Sequence, residues 1–181
     1  MLLYRGISCI LSCISFVLLL VAQVSSGWAV HETDILEASY TGLWTTCTED
    51  GCSFLAIREM KLDVVRSFML VALFFSFLAI LCSVESKYWM NCTEDFFMDG
   101  PVAGVFSLAS GICVLVAVAV FDNSVRETTE PELQDLSAKW AYFLSCVVCA
   151  LCLGTGIFSL VLYQLSLWKP TAYSSQVAPK G

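Results

Sequence analysis

Four long apolar runs constrain this chain more than any other feature of its sequence. They cover, in chain order, roughly Tyr4–Val24, Val64–Val84, Val102–Phe121 and Trp140–Tyr163. A membrane hydrocarbon core about 30 Å thick needs about 20 apolar residues, because a helix rises about 1.5 Å per residue. Since each run meets that length, the sequence predicts four membrane-spanning helices.

The composition excludes a soluble globular domain. The residues are 58% hydrophobic and only 14% charged, and the mean hydropathy is +0.79. Soluble domains carry about 25% charged residues, and a domain of this size cannot bury so much apolar surface in its own core. The formal charge of −7 argues against nucleic-acid binding, which needs clustered Lys and Arg. We therefore expect the lipid bilayer as a partner and no nucleic acid.

The runs divide the chain into one tetraspan domain, 1–181. The predicted spans are 4–24, 64–84, 102–121 and 140–163. The segments between and after them are a first loop, a short loop, a second loop and a tail, at 25–63, 85–101, 122–139 and 164–181. We expect both termini and the 85–101 loop in the cytoplasm, and the first and second loops outside the cell. Lys and Arg are nearly balanced between the two sides, so their distribution does not fix this orientation.

A second interpretation of the N-terminus stays open. One arginine within Met1–Gly6, an apolar stretch at 7–22 and small residues at 24–26 also describe a cleavable signal peptide. Cleavage would leave three spans. The length of the apolar run favours a retained helix.

Cys47 and Cys52 are the only two of the ten cysteines in the first loop. The four residues between them are turn-forming, and Gly51 tolerates a positive φ. With β-rich segments on both sides, the pair favours a disulfide-closed hairpin in a small extracellular antiparallel sheet. A Cys-x4-Cys pair is also half of a zinc site. The chain has a single histidine and no second cysteine pair nearby, which disfavours a metal.

The other eight cysteines lie in the apolar runs or in the 85–101 loop. Most of them are expected to pack as small apolar side chains. Cys82 and Cys92, near the predicted inner face, are candidates for palmitoylation. The sequence offers no catalytic triad, Cys/His pair or phosphate-binding glycine loop, so we expect neither an enzyme nor a cofactor.

Small residues indicate how the helices associate, because helices in lipid pack closely where side chains are short. The third run offers Ala103, Ser107 and Gly111 at four-residue spacing, with Gly100 and Gly104 beside them. The fourth offers, at alternating spacings of four and three, Ser145, Cys149, Cys152, Gly156 and Ser159. This is the spacing of a left-handed seam. We expect a left-handed four-helix bundle in which these residues pack the monomer, with a dimer interface as the less favoured alternative. The second helix, rich in phenylalanine, is expected to show much of that surface to lipid.

The first loop carries a motif that identifies a family resemblance. In chain order its residues are Trp28, Gly42, Leu43, Trp44, Cys47 and Cys52. This order resembles the W–GLW–C–C motif of the claudin, peripheral myelin protein, epithelial membrane protein and lens fibre membrane protein superfamily. The resemblance implies that the tryptophans anchor the sheet at the membrane interface. It also implies that Arg66, at the start of the second helix, ties that helix to the sheet.

Two departures select a branch of that superfamily. The spacing of Cys47 and Cys52 is short, as in the epithelial and lens fibre branch and unlike typical tight-junction claudins. The chain ends in Val-Ala-Pro-Lys-Gly and lacks the Tyr-Val type of ending, so we expect no PDZ partner. The sequon at Asn91 falls in the loop assigned to the cytoplasm and is expected to carry no glycan.

The resemblance implies two classes of function. The first is a structural role in cell–cell contact, junction or membrane organisation at the plasma membrane. Its partners would be copies of this chain or related tetraspan proteins, in the same membrane or across two. The second is an auxiliary subunit that modulates a channel, a receptor or another membrane protein. A paracellular cation pore is a third option, disfavoured by the short cysteine spacing and the tail.

Overall fold

A computed structural model describes residues 2–33, 37–48, 51–54, 60–88, 101–128, 136–138 and 140–168. Its helices are α1 (Leu2–Val24), α2 (Met60–Tyr88), α3 (Pro101–Thr128) and α4 (Trp140–Trp168). All four are long and apolar enough to cross a membrane, which confirms the predicted tetraspan fold. Helices α2 and α3 extend past the apolar runs at both ends, because backbone hydrogen bonding continues where the side chains become polar.

Five strands form one antiparallel sheet in the order β4-β3-β2-β1-β5. Four strands come from the segment between α1 and α2: β1 (Ala29–Thr33), β2 (Glu37–Thr41), β3 (Thr45–Thr48) and β4 (Gly51–Phe54). They confirm the small sheet predicted for the first loop. The fifth, β5 (Leu136–Ala138), precedes α4 and pairs with β1. It was not predicted, because three residues are too few to show an alternating pattern.

Successive strands run in opposite directions, alternately away from the helix ends and back towards them. Strand β1 leaves the end of α1, and β2 returns to a tight turn in which Gly42 N donates to Thr45 O at 2.8 Å. Leu43 in this turn is fully buried in the hydrophobic core. The β2–β3 turn therefore marks the end of the sheet that sits on the bundle.

Short polar side chains hold α3 against both of its neighbours. Ser107 Oγ donates to the Cys152 carbonyl of α4 at 2.9 Å, and Ser110 Oγ donates to the Ala72 carbonyl of α2 at 2.8 Å. Both hydroxyls are buried, so bonding to a neighbouring backbone satisfies them where water is absent. Ser107 and Cys152 belong to the predicted seams, whereas the contact of Ser110 with α2 was not anticipated.

Gly104 and Gly156 bring the backbones of α3 and α4 together. A Cβ at Gly156 would lie 2.9 Å from the Gly104 carbonyl oxygen and 2.6 Å from Leu108 Cγ. A Cβ at Gly104 would lie 3.1 Å from the Gly156 carbonyl oxygen. Only residues without a side chain permit this approach, so the seam packs the monomer as expected.

The phenylalanines of α2 divide between two environments. Phe74 and Phe77 are exposed on the outside of the bundle, where lipid would surround them. Phe75 instead stacks on Phe106 of α3, with ring centroids 6.1 Å apart, and Phe68 packs against the core. The predicted lipid-facing surface of α2 is therefore narrower than its composition indicated.

Replacing Gly156 by alanine tests the close approach of α3 and α4, with Gly154→Ala on the same helix as the matched control. We expect Gly156→Ala to lower the free energy of unfolding by about 1–3 kcal/mol, because its methyl group overlaps the Gly104 carbonyl. A Cβ at Gly154 meets nothing within 4 Å, so that variant should be neutral or slightly more stable. Unfolding in mixed detergent micelles measures both, and equal stabilities would contradict the contact.

Candidate functional site

Arg66 joins α2 to the β2–β3 turn. Its Nε donates to the Leu43 carbonyl oxygen at 2.6 Å, and its Nη1 donates to Asp63 Oδ1 at 2.8 Å. The guanidinium carbon also lies 5.2 Å from the ring centroid of Trp44, within the range of a cation–π contact. The Arg66 side chain is only 13% exposed, so water competes weakly for its bond to the turn.

Trp28 fixes the other side of the sheet to the bundle. Its ring is fully buried, and its Nε1 donates to the Ala22 carbonyl of α1 at 2.8 Å. The ring packs edge-on against Phe121 of α3, with centroids 5.0 Å apart. The ring therefore anchors the sheet to the helices through protein contacts, and its position at the membrane interface stays a prediction. The chain turns at the end of α1, where Ser25 N donates to the Val21 carbonyl at 3.1 Å, and the Trp28 ring is buried among the helices.

Two glycines allow the backbone contacts that this arrangement needs. A Cβ at Gly42 would lie 2.5 Å from the Ser25 carbonyl oxygen, so the turn after β2 lies directly against the segment that follows α1. A Cβ at Gly27 would overlap the ring of Trp140. The Gly27 carbonyl also accepts a hydrogen bond of 3.1 Å from Ala141 N of α4. Gly42 belongs to the sequence motif, whereas Gly27 was not singled out.

A disulfide joins Cys47 and Cys52, as predicted. The two residues are direct cross-strand partners in β3 and β4, with Cα atoms 4.0 Å apart. Gly51 has a φ of +138°, a conformation that favours glycine. The bond closes the β3–β4 hairpin at one edge of the sheet and leaves neither thiol free to bind zinc.

The remaining predicted site residues are two cysteines. Cys82 is 8% exposed within α2, so its thiol would have to leave the bundle interior to be acylated. Cys92 lies outside the described residues. Palmitoylation of either cysteine stays a prediction. Within the described ranges no group of three or more His, Cys, Asp or Glu side chains fits a metal ion.

We call the set Trp28, Gly42, Leu43, Trp44 and Arg66 the sheet–bundle junction. Its members join α1, α2 and α3 to the start of β1 and to the β2–β3 turn through the buried Trp28 ring, close backbone contacts and one charge-assisted hydrogen bond. The junction presents no nucleophile or acid–base pair. The junction holds an exposed sheet in position on the ends of the helices.

Arg66→Met and Asp63→Asn separate the two polar contacts of the arginine. We expect Arg66→Met to cost about 1.5–3 kcal/mol of folding free energy, because it removes a charge-assisted bond from a shielded carbonyl. Asp63 is half exposed, so losing its charge should cost only about 0–1 kcal/mol. Unfolding in mixed micelles, followed by tryptophan fluorescence, gives both values. A larger loss for Asp63→Asn would mean that the ion pair, and not the bond to Leu43, holds the turn.

One family of membrane proteins matches most of the chain. The model of the PMP-22/EMP/MP20/Claudin family matches residues 1–159. Human epithelial membrane protein 1 is 29% identical over 109 residues, covering 59% of this chain and 65% of that protein. Mouse claudin-1 is 24% identical over 137 residues, covering 67% of this chain and 65% of that protein. The chain thus spans just under two thirds of the length of these two relatives.

A third relative matches over a longer range. The bovine voltage-dependent calcium channel gamma-1 subunit is 25% identical over 196 aligned residues, covering 85% of each chain. Members of the matched family are structural membrane proteins rather than enzymes. The family model covers most of the sequence, and the four spans and the disulfide-closed sheet agree with it. The chain belongs to the PMP-22/EMP/MP20/Claudin family.

Proposed function

We propose that this protein has a structural role at the plasma membrane, where it organises cell–cell contacts, junctions or neighbouring membrane proteins. The observation that carries the proposal is the rigid mounting of an exposed sheet on the helices. The junction buries Trp28 and Leu43 completely, and the disulfide closes the hairpin that extends from it. Because such a surface is already ordered, a partner that binds it loses little conformational entropy.

The two faces of the sheet differ in the way that this role requires. On one face Ala29 is buried, and the Oγ1 of Thr46 is also buried. On the other face the register aligns Tyr40 with Cys47 and Cys52. Tyr40 is 42% exposed, and every residue of β4 is exposed. The face that carries the disulfide is therefore free to meet another protein.

The partners that we propose are copies of this chain or related tetraspan proteins, in the same membrane or across two. The family forms homomeric and heteromeric assemblies, and its matched members include an epithelial membrane protein and a claudin. We propose no catalysis and no cofactor. The interior hydroxyls of Ser107, Ser110 and Ser145 are bonded to backbone carbonyls, an arrangement that packs helices and leaves these groups no reactive role.

The orientation that fits this role places the sheet outside the cell and both termini in the cytoplasm. A persistent disulfide supports that orientation, because such bonds form in oxidising compartments. The loop that joins α2 to α3 then faces the cytoplasm. Asn91 belongs to that loop and lies outside the described residues, and we propose that it carries no glycan.

A second candidate is an auxiliary subunit that modulates a channel, a receptor or another membrane protein. The match that favours it is the calcium channel gamma-1 subunit, which aligns with 85% of this chain. In this case the exposed sheet and the outer surfaces of the helices would contact one larger membrane protein. The same rigid mounting supports both candidates, so an experiment has to separate them.

Expression in non-adherent cells tests the structural role directly. We expect cells that express the chain to aggregate and to concentrate it at their contacts. Gly42→Ala should abolish this enrichment, because its methyl group overlaps the Ser25 carbonyl and displaces the β2–β3 turn. Gly6→Ala is the matched control, since a Cβ at Gly6 meets nothing within 4 Å, and it should behave as the unmodified chain.

Surface labelling and detergent pull-down complete the experiment. Surface amounts are measured for all three chains, so that a loss of delivery is separated from a loss of contact. Dispersed cells together with one channel or receptor that co-purifies in stoichiometric amount would contradict the contact role and support the auxiliary one. Contact enrichment that survives Gly42→Ala would show that the sheet is not the surface responsible.

A further inference from the structure

Phe54 is a large apolar side chain left open at the edge of the sheet. It is 81% exposed, and it is the last residue of β4, a strand whose four residues are all exposed. Within the described sheet β4 is a terminal strand and pairs with β3 alone. One exposed ring is not by itself evidence of a contact, so the position of Phe54 relative to the helices decides what surrounds it.

The register places Phe54 at the end of the sheet that meets the helices. It is the cross-strand partner of Thr45, the residue whose carbonyl closes the β2–β3 turn. Leu43 in that turn is buried and bonded to Arg66. Phe54 therefore lies level with the helix ends, near the depth at which the membrane span of α2 begins at Lys61.

Strand β4 also lies outside the rim of the bundle. The β2–β3 turn sits on α2 through Arg66, and β1 continues from Trp28, which is buried between α1 and α3. Strand β4 is one strand further out, and none of its side chains is buried. A strand that is level with the helix ends and beyond their rim lies over the surrounding lipid.

We propose that Phe54 inserts into the headgroup region of the bilayer and that β4 rests on a lipid surface. Transfer of an exposed ring from water to the membrane interface is favoured by the hydrophobic effect, and aromatic side chains concentrate at that depth. Trp140, which is 55% exposed at the start of α4, gives the bundle an aromatic contact at the same end. Phe54 and Trp140 would then contact the membrane interface at the same end of the bundle, from opposite edges of the sheet.

This insertion gives the hairpin a support in addition to its contacts within the sheet. The β3–β4 hairpin is held by the disulfide and by its pairing with β2, and β4 is the terminal strand of the described sheet. A ring embedded in lipid would limit the movement of that edge. The inference needs only a membrane-spanning bundle and does not depend on the proposed function or on its orientation.

The fluorescence of a tryptophan introduced at position 54 reports how deeply that residue lies in the bilayer. Phe54→Trp is compared with Tyr40→Trp, which lies on the same face but is aligned with Cys52 and so stands two residues, about 7 Å, further from the helices. The full chain is placed in nanodiscs of phosphatidylcholine, with or without bromine at carbons 6 and 7 of one acyl chain. Emission of the unmodified chain is subtracted from that of each variant.

We expect the emission added by Phe54→Trp to be blue-shifted and to lose most of its intensity in the brominated bilayer. The emission added by Tyr40→Trp should keep its intensity and the wavelength of a hydrated ring. Equal, unquenched emission from both variants would overturn the proposal. A blue shift without quenching that grows with the number of copies per disc would overturn it as well, because a second copy would then cover Phe54.

A measurement on the unmodified chain removes any dependence on the folding of the variants. Phosphatidylcholine carrying a diazirine near its headgroup is photolysed in the same nanodiscs, and the labelled peptides are identified by mass spectrometry. Insertion predicts label on Phe54 and none on Tyr40. Absence of label from residues 51–54, with label present on the helix ends, would refute it.

Discussion

The hydrogen bond from Arg66 to the Leu43 carbonyl couples the helical bundle to the sheet, and these two parts are stabilised in different ways. The helices lie in lipid, where every backbone polar group must be bonded within the chain. The sheet lies in water, and its strands have only three to five residues each, so by itself it would be marginally stable. Arg66, together with the buried side chains of Trp28 and Leu43, makes the sheet an extension of the bundle core. The exposed face of the sheet is ordered as a consequence.

Much of this fold follows from the sequence, because the bilayer imposes a simple length requirement on apolar runs. The runs predict four spans, and the seam of small residues predicts the contact at which Gly104 and Gly156 meet. The pairing of Cys47 with Cys52 follows from two cysteines around a turn that ends in Gly51. Contacts between distant segments were harder to foresee. Strand β5 is too short for a pattern, and the bond from Ser110 to α2 depends on helix rotations that composition does not fix.

The sequence identified the residues of the sheet–bundle junction, but it predicted their contacts only in part. The family motif singled out Trp28 and Trp44, and the wider resemblance implied that Arg66 links α2 to the sheet. It did not reveal that Trp28 is enclosed by α1 and α3, since a tryptophan beside an apolar run reads as an interfacial residue whether it faces lipid or protein. Phe54, by contrast, was not singled out from the sequence. Nothing in its sequence context marks it, and only the register shows that it stands exposed at the level of the helix ends.

Hydrogen–deuterium exchange on the full chain in nanodiscs tests most directly whether sheet and bundle are one cooperative unit. If the junction couples them, amides of β1, β2 and β3 should open with the same free energy as amides of α1 and α2 near the sheet. Strand amides that exchange freely, while the neighbouring helical amides stay protected, would show that the sheet is only tethered to the helices, and the account would be wrong.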